Sequence, residues 1–128
     1  MRLASVPAWG WWSLVVVAVS LPWIGFTAVP QWNRVTVAPF TDPEDTVTDL
    51  VANTALFVPF GFLFASRHPR PAAASFAYAA LAAAGVSIGA EATQLFSTTR
   101  NPSATDVLYA VAGCAAGVVA ARARRLRT

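Results

Sequence analysis

Seven polar residues stand out in an otherwise hydrophobic chain because each could bind or react with a ligand. Carboxylates can exchange protons, a guanidinium can bind a phosphate, and amides and hydroxyls can hydrogen-bond to a sugar or a headgroup. Ionisable groups at membrane depth are costly and usually functional. The candidate ligand site therefore consists of Asp49, Asn53, Ser87, Glu91, Gln94, Arg100 and Asp106.

The composition predicts that membrane-spanning helices position these residues. Of the 128 residues, 56% are hydrophobic and only 12% are charged, and the mean hydropathy is +0.54. A helix needs about 20 apolar residues to cross the hydrocarbon core. We expect an all-α integral membrane bundle of four transmembrane helices, forming a single domain over residues 1–128. The predicted helices are residues 9–29, 48–66, 72–96 and 104–121.

The arginines predict the orientation of this bundle. Arg67 and Arg70 flank the second connection, and four more arginines lie in the last seven residues. The positive-inside rule then places both termini in the cytoplasm. A cleaved signal peptide is the alternative for the first segment, but the apolar run continues past the candidate cleavage site through Phe26. We therefore expect a retained span and a multi-pass protein.

Helix geometry places the polar residues at one level of the bundle. At a rise of 1.5 Å per residue, Asp49 lies about 27 Å from Arg67, and Asp106 lies about 24 Å from Arg122. Glu91 is roughly 30 Å from the start of its helix. Under the predicted orientation, all of these positions lie at the extracytoplasmic end.

A structural role competes with a functional role for each carboxylate. Asp49 and Asp106 begin their helices, where a negative charge is stabilised by the helix dipole. Glu91 lies toward the end of its helix, where the dipole gives it no such benefit. We expect Arg100 to be its partner, either as a structural ion pair or as part of a ligand site.

Four residues are predicted to shape the helix packing. Pro59 removes one backbone hydrogen bond from the second helix and should kink it. Small residues allow helices to approach closely, and the candidates for such contacts are Gly61, Gly113 and Gly117. We favour a contact within the chain for the Gly113 and Gly117 face, with a homodimer through the same face as the open alternative.

Three motifs together resemble those of the VanZ-like membrane family. Asp49 and the segment NTALFVPFGFL, residues 53–63, resemble its D…NxxLFxPxGF signature. Residues 87–96 resemble its SxxxExxQ segment, and the order Arg100, Asp106, Gly113, Gly117 is similar to its closing pattern. The resemblance covers residues 49–118. Two departures stand where family members often carry Asp and Asn, namely Ser103 and Ala110.

The resemblance implies a multi-helical protein of the bacterial cytoplasmic membrane. The name-giving member of the family is linked to decreased susceptibility to teicoplanin, a lipoglycopeptide antibiotic. By this resemblance, the chain is expected to influence glycopeptide susceptibility. The resemblance supplies no reaction.

Three classes of function remain open from the sequence. The favoured one is a non-enzymatic protein whose polar site binds an envelope lipid or another amphiphile. The second is an enzyme acting on a lipid-linked phosphate or sugar, with Glu91 and Asp106 as an acid–base pair and Arg100 stabilising charge. The third is a structural or transport accessory. We expect membrane lipids as partners, no nucleic acid, no cofactor and no metal, since the only histidine, His68, lies in a predicted loop.

Overall fold

The fold is a bundle of α-helices, as predicted. The structure, a computed structural model, describes residues 5–128. Within this range the chain forms four α-helices and no named β-strand. Their bounds are α1 Ala8–Ser20, α2 Val47–Arg67, α3 Ala72–Gln94 and α4 Ala104–Arg125, and a short 3-10 helix, Trp32–Arg34, lies between α1 and α2.

Three of these helices are long and apolar enough to cross a membrane. They are α2, α3 and α4, with 21, 23 and 22 residues. At 1.5 Å per residue each is more than about 30 Å long, which matches the hydrocarbon core. The fold and its hydrophobicity thus identify a membrane protein.

The predicted first span, residues 9–29, is wrong at its C-terminal end. Helix α1 has 13 residues and ends at Ser20, followed by Leu21 in an extended conformation. The reason is local, because the residue before a proline avoids the helical region and Pro22 directly follows Leu21. With a length of about 20 Å, α1 is shorter than the hydrocarbon core.

Helix α1 nevertheless traverses most of the bundle. Near its start, Trp9 packs against Phe64 and His68 at the end of α2. At its own end, Val19 and Ser20 line the same cavity as Asn53 near the start of α2. The two helices therefore run in opposite directions, as expected for consecutive segments of a bundle.

Close contact between α2 and α4 depends on glycine. A Cβ atom built on Gly113 would lie 2.1 Å from the backbone oxygen of Thr54, and one on Gly61 would lie 2.0 Å from that of Cys114. Gly117 has a similar contact, 2.1 Å from the backbone oxygen of Val58. These glycines contact the neighbouring helix of the same chain and are buried. The face formed by Gly113 and Gly117 is therefore occupied by α2 of the same chain.

Aromatic side chains and alanines fill the rest of the core. Phe57 and Phe60 of α2 are almost completely buried and pack against each other edge to face. Helix α2 continues through Pro59 without interruption. In the turn that Pro59 weakens, the Trp12 indole donates a hydrogen bond of 2.7 Å to the Leu56 carbonyl, which ties α1 to α2.

Two connections lie together over one end of the bundle. The segment 21–46 runs beside the α3–α4 connection, and isolated bridges pair Phe26 with Ser97 and Thr36 with Ser103. The Thr36 amide donates to the Pro102 carbonyl and the Thr36 carbonyl accepts from the Ala104 amide, each at 2.9 Å. We call this covered end, where α2 and α4 begin, the polar end.

Candidate functional site

The structure brings six of the seven predicted site residues to one cavity. This cavity, which we call the polar pocket, has a volume of about 80 Å³ and lies beneath the covering connections at the polar end. Since a cavity of roughly 10–15 Å³ by this measure holds one water molecule, the pocket could take a small polar group. Its predicted lining residues are Asp49, Asn53, Ser87, Glu91, Gln94 and Arg100.

Asp49 has a structural role in addition to its place in the pocket. It lies in the first turn of α2, where its side chain and that of the N-cap Thr46 form a capping box. The Thr46 hydroxyl also donates a hydrogen bond to the Asp49 carboxylate. Asp49 therefore stabilises the start of α2, as its position at a helix end predicted.

The partner of Glu91 differs from the prediction. Its Oε2 accepts a hydrogen bond of 2.8 Å from the backbone N–H of Ser103. Within residues 5–128 the one ion pair closer than 4 Å joins Arg34 and Glu44, so Glu91 and Arg100 form no salt bridge. The reason is the path of the α3–α4 connection, which brings the backbone N–H of Ser103, the N-cap residue of α4, to the Glu91 carboxylate.

Ser103 connects the pocket to the acidic covering segment. It is the N-cap of α4, and its hydroxyl oxygen accepts a 3.2 Å hydrogen bond from the Thr105 amide. The same hydroxyl lies 3.3 Å from Oδ2 of Asp45. An aspartate at this position, as in the family pattern, would add a carboxylate between Glu91 and Asp45. Serine avoids that repulsion and keeps the cap.

Asp106, the seventh predicted residue, lies behind the pocket wall. It is 5% exposed, and its carboxyl group is close enough to that of Glu91 for the two to interact. Arg100 acts electrostatically on both. The Asn53 amide donates to the Asp106 backbone carbonyl at 3.4 Å, which links α2 to the first turn of α4.

Three buried oxygens at the polar end have no hydrogen-bond partner among the described residues. They are Oε1 of Gln94, whose residue is 2% exposed, Oδ1 of Asn101 and Oδ1 of Asp106. A buried acceptor without a donor costs about 1–3 kcal/mol. Gln94 lines the pocket directly, so a donor placed in the cavity would satisfy its oxygen.

Several residues that complete the pocket could not be predicted from sequence patterns. Helix α1 contributes Val16, Val19 and Ser20, and α2 adds Leu56 and Phe57. Val16 is 1% exposed. These side chains are ordinary for a membrane helix, so only the packing of α1 against α2 and α3 identifies them. The Ser103 amide could not be predicted either, because every residue except proline has a backbone N–H and the residue type does not show which one donates.

Two further cavities at the polar end differ in chemical character. One, of about 180 Å³, lies on the covering segment and is acidic, with Asp42, Glu44 and Asp45, and it shares Asp49 and Arg100 with the pocket. The other is an apolar groove of about 540 Å³ between the end of α1 and the end of α3. It is lined by Leu21, Pro22, Trp23, Phe26, Ala92, Thr93 and Phe96.

The fold and the site together define a membrane bundle with a polar, carboxylate-rich pocket at one end. The chain belongs to the VanZ/LLP1 family, since the sequence model of that family matches residues 5–125. The match confirms the resemblance and extends it to α1. No curated protein and no solved structure matches the chain.

Proposed function

We propose that the polar pocket binds the headgroup of a sugar-bearing amphiphile of the bacterial envelope, without catalysing a reaction. The observation that carries this proposal is the buried Gln94 oxygen at the pocket wall, which has no donor. Sugar hydroxyls supply donors of the right size, and an orphaned acceptor gains most when such a donor arrives.

The balance of charge supports a ligand rich in hydrogen-bond donors. Three carboxyl groups lie in or beside the pocket, those of Asp49, Glu91 and Asp106, against the single guanidinium of Arg100. An anionic headgroup would share the pocket with more acidic groups than basic ones. A sugar can donate to the carboxylates and accept from Arg100 and the Asn53 amide, so it fits both kinds of group.

The apolar groove supports the amphiphilic character of the ligand. Helix α3 presents Glu91 to the pocket and the next residue, Ala92, to the groove. Ser20 at the end of α1 lines the pocket, and Leu21, which follows α1, lines the groove. A molecule with its headgroup in the pocket could therefore place an acyl chain in the groove. Burial of apolar surface there would add about 25 cal/mol per Å².

In the cell, we propose that this binding influences susceptibility to glycopeptide antibiotics of the teicoplanin type. Membership of the VanZ/LLP1 family supports this step. A glycopeptide that carries an acyl chain is itself a sugar-bearing amphiphile. The proposed orientation, with the polar end extracytoplasmic, would expose the pocket on the side where such antibiotics arrive.

An enzyme is the second candidate, because the carboxyl groups of Glu91 and Asp106 are neighbours with Arg100 near both. Such a pair could share a proton and act as acid and base. Glycoside hydrolysis usually needs its two carboxyl groups about 5 Å or more apart, with the sugar bond between them. In this chain Asp106 is buried and does not line the pocket, so binding is the better supported function.

The substitution Glu91→Gln tests the proposal. Glutamine retains an oxygen that can accept from the Ser103 amide, now at 2.8 Å from Glu91, but it removes the charge. We expect normal abundance in the membrane together with loss of the effect on teicoplanin susceptibility. The measurement is the inhibitory concentration beside quantified membrane protein, with Glu44→Gln as the matched control at an exposed carboxylate.

The same pair of measurements separates binding from a structural role. Retention of the full effect by Glu91→Gln would contradict the proposal, and loss of membrane protein would indicate a structural tie. Exchange of Glu91 and Arg100 should not restore function, because the partner of Glu91 is the Ser103 amide. Restoration of function by this exchange would indicate that Glu91 and Arg100 act as an ion pair.

A further inference from the structure

Charge is strongly separated along the bundle. All six acidic residues lie at the polar end, either in the covering segment and the start of α2 or at the ends of α3 and α4 that meet it. The opposite end has no carboxylate side chain within residues 5–128 and carries six of the nine arginines: Arg67, Arg70, Arg122, Arg124, Arg125 and Arg127.

Three of these arginines line a cavity. The cavity has a volume of about 260 Å³ and lies where the α2–α3 connection meets the end of α4, with Arg70, Arg122, Arg125 and Leu126 as its lining residues. We call it the arginine cavity. Like charges repel one another unless an anion lies among them, and within residues 5–128 none of these three arginines has an ion-pair partner closer than 4 Å.

Backbone contacts hold the guanidinium groups in place. Arg122 donates to the Arg70 carbonyl at 3.3 Å, and Arg125 donates to the carbonyls of Ala65 and Ser66 at 2.5 and 3.0 Å. Arg70 lies over the Tyr78 ring, 4.2 Å from its centre. These contacts use only some of the five N–H donors of each guanidinium, so the rest can bind an oxyanion.

We propose that the arginine cavity binds the phosphate headgroup of an anionic phospholipid. Arginine forms paired hydrogen bonds with phosphate oxygens, and fixed guanidiniums lose little entropy on binding. The position argues for a lipid over free phosphate. The cavity lies at the ends of membrane-length helices, and Leu126 on its wall is 89% exposed, which suits contact with an acyl chain.

Native mass spectrometry of the full chain in neutral detergent tests this site. The probe is phosphatidylglycerol, compared with phosphatidylcholine of the same acyl chains and with glycerol phosphate. We expect phosphatidylglycerol to bind at least about tenfold more tightly than either. Each arginine near a membrane surface contributes about 1 kcal/mol to binding an anionic lipid, so Arg70→Gln and Arg122→Gln should each weaken binding about fivefold.

The matched control is Arg127→Gln, which removes the same charge from the same tail outside the cavity. We expect a change of less than about twofold, and Arg70→Lys, which keeps the charge but not the paired hydrogen bonds, should weaken binding less than Arg70→Gln does. Arg70 is exposed and donates no hydrogen bond within residues 5–128, so its variants should fold.

Three results would overturn the proposal. Equal binding of phosphatidylcholine would show that the arginines act only as topology signals. An effect of Arg127→Gln as large as that of Arg70→Gln would show diffuse attraction in place of a site. Glycerol phosphate as tight as the lipid would exclude a lipid site.

Discussion

Glu91 is the residue on which the interpretation of the site depends. From the sequence it was the one carboxylate that a helix end could not explain, and the structure gives it a partner in the Ser103 amide at 2.8 Å. This hydrogen bond uses Oε2 of Glu91, so the second carboxyl oxygen is left for a ligand. Glu91 can therefore be held in place and still bind a ligand.

The clustering of the candidate site residues at one end of the bundle could be predicted from sequence, but their hydrogen-bond partners could not. Unusual polar residues in apolar helices mark the site, and helix rise gives their level in the bundle. The donor to Glu91 lies in the irregular α3–α4 connection. The path of this connection cannot be predicted from the spacing of apolar residues, which identifies only helices and strands. The pairing of Glu91 with Arg100 was therefore wrong, although both residues line the polar pocket.

At the scale of elements, the long helices were predictable and the short one was not. The bounds of α2, α3 and α4 differ from the predicted ones by at most four residues, because proline and charge clearly interrupt the apolar runs. The apolar run of the first segment continues past Ser20, and hydrophobicity alone cannot distinguish a helix from a covering loop that packs on other loops.

The contact between α2 and α4 gives a prediction about glycine. A methyl group at Gly113 would lie 2.1 Å from the Thr54 carbonyl oxygen, so Gly113→Ala must push the helices apart. Overpacking of this kind typically costs about 1–3 kcal/mol. We expect a lower thermal unfolding temperature in detergent and less protein in the membrane.

Gly85→Ala provides the control for that prediction. Nothing lies within 4 Å of the Cβ position at Gly85, and alanine favours helix over glycine by about 1 kcal/mol. This variant should be as stable as the wild type or slightly more stable. If Gly113→Ala unfolded at the same temperature as Gly85→Ala, the close packing of α2 on α4 would be contradicted.

The whole molecule has two chemically different ends. Carboxylates and the covering segment form the polar end, and arginines form the other. The positive-inside rule predicts that the arginine end is cytoplasmic, which would make the polar pocket extracytoplasmic. Helix α1 runs opposite to α2, so its N-terminal end lies at the arginine end and its C-terminal end lies at the polar pocket.

Cysteine labelling in cells tests this orientation. Glu44→Cys should react with an impermeant maleimide in intact cells, and Arg127→Cys should react only after permeabilisation. The native Cys114 is 1% exposed, so its background should be low. The opposite pattern of labelling would place the polar pocket in the cytoplasm and remove it from the path of external antibiotics.

Binding of a glycolipid by the purified protein tests the central claim most directly. Diglucosyl diacylglycerol is titrated against diacylglycerol with the same acyl chains, using the wild type, Glu91→Gln and Glu44→Gln. Glutamine keeps one oxygen for the Ser103 amide but presents an NH2 group in place of the second oxygen, so a sugar hydroxyl that donates to Glu91 loses its acceptor. An unsatisfied buried partner costs about 1–3 kcal/mol, so Glu91→Gln should weaken glycolipid binding about tenfold while Glu44→Gln leaves it unchanged. Equal affinity for the two lipids, or equal affinity of Glu91→Gln and the wild type, would contradict a sugar-binding polar pocket.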